Sequence, residues 1–271
     1  MRKGLSEAGW SEEEINYRIE AGRVDRLPST GSSPGVSAGV ERNFDRLCND
    51  VELAMNRLSL TSHLRLTRGI DPVSGPSASM MNVIMTDQSV ISVSSFFFRY
   101  CGLIARAFTR TILVNPCGWE SSSYKSRDGI SLIISRPDLV HYWWRSFLSF
   151  AATGTQIYAP YKPATRDEVL LFEQVARSME LFGVAHEYGH HHRSHGRNLE
   201  EDSCSCEFEA DQFALRILYE IERQPFLAPN PYISSGAGGV ILLRSLEILR
   251  QTTELLTNES FDSGTHPAAA E

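Results

Sequence analysis

The sequence has no excess of basic residues. Its 26 Lys and Arg are outweighed by 33 Asp and Glu, for a formal net charge of −7. A nucleic-acid binder normally carries a basic face that neutralises phosphate, and this balance argues against that class of partner. Long apolar runs are missing too. The most apolar stretches, 95–114 and 140–159, are broken by Arg99, Arg106, Arg110 and Arg145. Neither supplies the ~18–20 apolar residues in a row that a bilayer span needs, so both read as core helices and no transmembrane segment is expected. The N-terminal stretch lacks the basic start, apolar run and small-residue cleavage site of a secretory signal. Cysteine is scarce and odd in number: Cys48, Cys101, Cys117, Cys204 and Cys206 follow no regular spacing. That pattern argues against a disulfide framework and suits free thiols in a reducing, cytoplasmic setting. No internal repeat is present.

What is there suffices for one sizeable core: 271 residues, 42% of them hydrophobic. Residues 1–27 read as an N-terminal helical appendage, opened by a capping box between Ser11 and Glu14. The Pro/Gly/Ser-rich "PSTGSSPGVSAG" makes 28–40 a flexible linker. The remainder, 41–271, reads as one domain. Apolar residues at Phe44, Leu47, Val51, Leu53, Ala54 and Leu58 predict an amphipathic helix over 41–60. "RGIDPVSGPSAS" reads as a loop, and "MMNVIMTDQSVISVS" as a hairpin at about 81–93. Ser94 or Ser95 is placed to cap a helix running to about Thr111. "TILVNP" and "ISLIIS" read as short strands.

Asp138 opens an aromatic helix in which Trp143 and Trp144 are assigned to the core, with lining of a pocket as the alternative for one of them. Thr165 and Glu168 form a second capping box, for a long helix over 166–194. Gly183 and Gly189 lie inside it, and an interior glycine costs about 1 kcal/mol against alanine, so each needs a packing reason. Further helices are expected at 203–224 and 237–257. The fold class is α+β, mostly helical with a small edge β-sheet.

Five of the eight histidines fall in "GVAHEYGHHHRSHG". His186 and His190 are four apart, so on a helix they project from one face, one turn apart. Two imidazoles so placed can share one ion, and Glu187 stands beside it. This is the arrangement of a zinc hydrolase: two ligands, and a carboxylate next to the activated water. Catalytic zinc needs a third protein ligand and an open fourth position. A third histidine in an HExxHxxGxxH pattern is excluded, because Arg193 and Gly196 occupy the glycine and final histidine positions. "CEFEADQFA" on the next helix offers carboxylates instead. Glu207 and Asp211 share a face; Glu207 is assigned as the third ligand and Asp211 as the acceptor for a ligand histidine's free N–H. Glu209 is expected to face solvent. His191, His192 and His195 are read as surface residues that complement the helix dipole. Cys204 and Cys206, two apart on a helix, are read as small thiols rather than a second site.

HExxH followed by E-x-x-A-D, here His186, Glu187, His190, Glu207, Ala210 and Asp211, resembles the gluzincin metallopeptidases. The likeness is nearest to the family of HtpX and the type-1 CAAX prenyl proteases. The hairpin ahead of the HExxH helix and the "SGTHPAAAE" segment resemble that family as well, so the likeness extends over about 80–271. It implies a zincin-like domain holding one Zn2+ per chain and hydrolysing protein or peptide substrates, with Glu187 as general base and the substrate extended along the hairpin edge. The named relatives are membrane-embedded, and a version without the membrane segments is the better model here. His266, the titratable group of "SGTHP", is the expected hydrogen-bond donor to the negative oxygen of the tetrahedral intermediate. Two alternatives stand beside this reading. One is a latent protease effector, of phage-defence or toxin-like character, switched on by a partner through the N-terminal appendage. The other is a non-enzymatic binding module with a structural metal site.

Overall fold

A computed structural model describes residues 1–24, 36–60, 62–112, 134–160, 162–166, 168–197, 202–224 and 229–259. Among these, the chain begins with two helices, α1 (Arg2–Glu7) and α2 (Glu12–Val24), then α3 (Ala38–Arg57). Three strands follow: β1 (Arg65–Asp71), β2 (Ala78–Asn82) and β3 (Gln88–Ser94). The rest is helical: α4 (Ser95–Thr111), α5 (Pro137–Thr153), α6 (Val169–Arg193), α7 (Ser203–Glu222), the single turn α8 (Pro231–Ser234) and α9 (Ala237–Thr257). The protein is α+β, mostly helical with a small sheet. Among the described residues no helix is long and apolar enough to cross a membrane.

Local signals set most of these boundaries. Ser11 and Glu14 form their capping box reciprocally, at 2.9 and 3.2 Å. Thr165 and Glu168 do the same at 2.8 and 3.3 Å, at the entry to α6. The Ser94 hydroxyl accepts from the Phe96 N–H and caps α4. Helix α3 starts earlier than its apolar stripe suggests, because Ser37 caps it, so the linker expected over 28–40 ends inside a helix. Residues 28–35 of that linker, and 113–116 and 130–133 of the strands expected from "TILVNP" and "ISLIIS", lie outside the described residues, while Thr111, Ile134 and Ser135 are helical rather than extended.

The sheet has the order β1-β3-β2, with β3 central, parallel to β1 and antiparallel to β2. The expected hairpin is β2–β3. The loop expected at 68–79 is corrected: Arg68–Asp71 belong to β1. Charges at Arg65, Arg68 and Asp71 hide its alternation in the sequence, yet Ile70 is buried and the exposed positions alternate with covered ones. The Arg68 guanidinium reaches the Tyr188 hydroxyl (3.1 Å), which donates to Glu52 (2.7 Å), so β1, α3 and α6 are tied by one polar cluster.

Helix α6 is the spine of the molecule. It packs against α3, α4, α7, α9 and β2. Val175, Met179, Leu181, Val184 and Ala185 on it have no exposed surface. A helix surrounded on several sides must be apolar on several faces, which is why its stripe is so broad. Both interior glycines now have reasons. A Cβ on Gly183 would meet the Phe97 ring at 2.5 Å, and one on Gly189 would meet the Ala210 backbone at 2.9 Å.

The aromatic helix α5 is present, but only one of its tryptophans is covered. Trp143 stacks on Phe147 and donates to the Thr111 hydroxyl (2.9 Å). Trp144 is 57% exposed and lines a shallow surface pocket with Val140 and His141, so of the two readings only the pocket one holds for it. One residue on, it points roughly 100° away from Trp143, off the packed face.

Candidate metal centre

The last turns of α6 bring His186, Glu187 and His190 to the crossing with α7, which supplies Glu207 and Asp211. Gly189 and Ala210 make that crossing possible: the two helices meet with Ala210 wholly buried and no room for a side chain at 189. The alanine of E-x-x-A-D therefore sets the interhelical distance, and the two acidic residues flanking it set the chemistry.

One ligand atom from each of His186, His190 and Glu207 lies within 4.8 Å of the others. His186 Nε2 and His190 Nε2 are 3.0 Å apart, and a Glu207 oxygen lies 3.1 Å from the first and 3.6 Å from the second. Ligands 2.0–2.1 Å from a tetrahedral ion are about 3.3 Å from one another, so this triangle has the size such an ion requires. The donor set, two imidazoles and a carboxylate, is one that suits zinc. The sequence assigns all three positions, and the structure brings them together.

Asp211 stands where the second carboxylate is expected. Its Oδ1 is 2.8 Å from His186 Nδ1, leaving Nε2 turned toward the shared point. The site is acidic and covered: His186, Glu187 and Glu207 are all buried. Burial works against a charged His186 ring, yet the hydrogen bonds to Asp211 and Glu207 overcome it and hold its pKa at about 10. The Glu187 carboxyl is raised above the ordinary carboxylate range, first by burial and further by Glu207, while the two histidines and the Met80 N–H pull it down.

That Met80 contact fixes the geometry of the sheet edge. Val83 donates to Gln88 at 2.9 Å, so in the antiparallel β2–β3 pair the residues that exchange hydrogen bonds are 83, 81 and 79. Met80 lies between them, and its N–H points outward from the sheet, toward Glu187. Strand β2 therefore presents its open edge to the buried cluster.

The three histidines read as surface residues are placed otherwise. His195 is buried (8% exposed), and its Nδ1 lies 3.0 Å from His190 Nδ1. The chain reverses at Ser194, which is left-handed (φ 62°), and the His195 N–H donates back to the His190 carbonyl at 3.0 Å. A helical projection cannot show that return, so the sequence reading put His195 outside. His191 is buried as well, with a pKa lowered first by burial. His192 is partly covered and lies 5.2 Å from the Phe213 ring. Glu209 is exposed as expected, yet its carboxylate comes within 3.5 Å of His195 Nε2 and of Arg193. Cys204 and Cys206 are thiols outside any disulfide among the described residues, and both are partly buried. His266 lies outside the described residues.

Compared with family models, curated proteins and solved structures, the chain matches none of them.

Proposed function

We propose that the protein is a zinc-dependent endopeptidase with a zincin-like domain of gluzincin type. The observation that carries this reading is the triangle of His186, His190 and Glu207 with Glu187 buried beside it. A zinc ion held by these three residues would polarise a scissile carbonyl and lower the pKa of a coordinated water. The chain's own groups do the rest. Glu187, made more basic by burial, accepts the proton of the attacking water and delivers it to the leaving amine. Asp211 fixes the tautomer and orientation of His186. The open edge of β2, with Met80 at the cluster, pairs with an extended substrate backbone. A site serving structure alone gives no use to a covered carboxylate at position 187, which favours the enzyme over the binding module.

The N-terminal appendage gives no support to a latent enzyme held shut by direct obstruction. Its described contacts are at the other end of α6: the Trp10 indole donates to the Ala164 carbonyl (3.0 Å), and Glu14 pairs with Arg166 (3.6 Å). A cavity of about 760 Å3 between appendage and body is lined by Trp10, Arg18, Phe172 and Glu173. Phe172 lies fourteen residues before His186 on the same helix, or about 20 Å along its axis.

The test is metal content with activity. Purified protein never exposed to chelator should contain about one zinc per chain, and chelation should abolish cleavage of an unfolded protein substrate, with zinc restoring it. Protein that carries no transition metal and takes up none on titration overturns the reading.

A further inference from the structure

We infer that His195, backed by Glu209, is a positioning residue for the metal ligand His190. The inference rests on the metal-site reading above. A histidine that binds an ion through Nε2 must carry its proton on Nδ1. In His190 that Nδ1 is 3.0 Å from His195 Nδ1. A hydrogen bond there requires His195 Nδ1 to accept, so the His195 proton sits on Nε2. The Glu209 carboxylate comes within 3.5 Å of His195 Nε2. The ion thus fixes the sense of the His190–His195 hydrogen bond, and the Glu209 carboxylate lies within ion-pair distance of the Nε2 that then carries the proton. His186 uses a carboxylate directly; His190 uses an imidazole with a carboxylate behind it.

The backbone around His195 shows that this placement is built. The left-handed turn at Ser194 folds residue 195 under the end of α6. The His195 carbonyl accepts from the Asn82 side chain at 2.8 Å, and the Arg197 guanidinium donates to the Thr86 and Gln88 carbonyls at 2.9 and 3.0 Å. The turn that carries His195 is thus clamped to the β2–β3 hairpin by contacts that do not involve the imidazole. Changing the ring alone leaves those clamps in place.

Two substitutions separate positioning from space-filling. In His195→Asn the amide oxygen stands close to where Nδ1 stood and still accepts from His190, but volume is lost. In His195→Phe the volume is kept and the acceptor is gone. Zinc affinity, read by competition with a chromogenic chelator, should fall roughly 10–100-fold in His195→Phe and recover most of that in His195→Asn. The visible spectrum of the cobalt-substituted protein should shift in the Phe variant and stay near wild type in the Asn variant. Glu209→Ala should cost no more than about fivefold, since Glu209 is half exposed. Wild-type affinity in His195→Phe, or a loss in His195→Asn as large as in His195→Phe, overturns the inference while leaving the metal site standing. A wild-type protein that binds no zinc overturns the site and the inference together.

Discussion

His186 and His190 face the same point but are held by different means, and the difference is legible in what each Nδ1 touches. Asp211 accepts directly from His186 at 2.8 Å, in a pocket where burial makes every hydrogen bond to a charged group count for more. Replacing Asp211 with Asn keeps the shape and removes the charge. It should weaken zinc binding roughly 10–100-fold, the usual scale for such partners. Glu207→Ala removes the proposed third ligand and should cost more than Asp211→Asn in the same competition titration. An unchanged zinc dissociation constant in Asp211→Asn would show that the contact does not serve the ligand. Nothing in the triangle of His186, His190 and Glu207 needs Glu187.

At the scale of elements, the crossing of α6 and α7 decides whether the triangle exists. Gly189→Ala would set a methyl 2.9 Å from the Ala210 Cα and 3.1 Å from its carbonyl oxygen. Backbone cannot swing aside as a side chain can, so α7 must shift. Overpacking of this kind costs about 1–3 kcal/mol, which outweighs the ~1 kcal/mol that alanine gains in helix propensity. Urea denaturation should show Gly189→Ala less stable, with weaker zinc binding because Glu207 and Asp211 move with α7. A variant stabilised like an ordinary exposed Gly→Ala change would contradict this packing. The sequence showed the elements well where local chemistry sets them: both capping boxes form, and α9 spans the expected 237–257. It hid β1, whose charged residues mask a strand paired in parallel to a partner distant in sequence. It also hid His195, because a single left-handed residue redirects the chain after the helix, and periodicity carries no information past that point. The shared face of His186 and His190 was legible because i, i+4 spacing is a property of the helix itself. Their meeting with α7 depends on a glycine and an alanine whose role only the packing reveals.

For the molecule as a whole, α6 is both spine and site, so its burial has consequences for stability. Glu180, on its middle turns, accepts from the Asn43 side chain at 2.9 Å, and burial pushes its carboxyl up to about 7. An unfolded chain releases that proton near 4.5. Between these values the folded protein holds the proton longer, so this group's stabilising contribution is present below 4.5 and is lost as pH rises to about 7. Glu180→Gln should flatten that part of the stability profile and leave the protein roughly 1–3 kcal/mol more stable than wild type at pH 8. Denaturant midpoints measured from pH 4.5 to 8 check this, and parallel curves for the two proteins would contradict it. Catalysis is the larger claim, and it concentrates on Glu187. The most direct measurement compares new protein N-termini in cells producing wild-type protein with those in cells producing Glu187→Gln, after showing that both hold equal zinc. Cleavage products are expected with the wild type and their near-complete loss with Glu187→Gln, because the substitution removes the proposed proton acceptor and none of the proposed ligands. Identical products at identical rates from both proteins would contradict it.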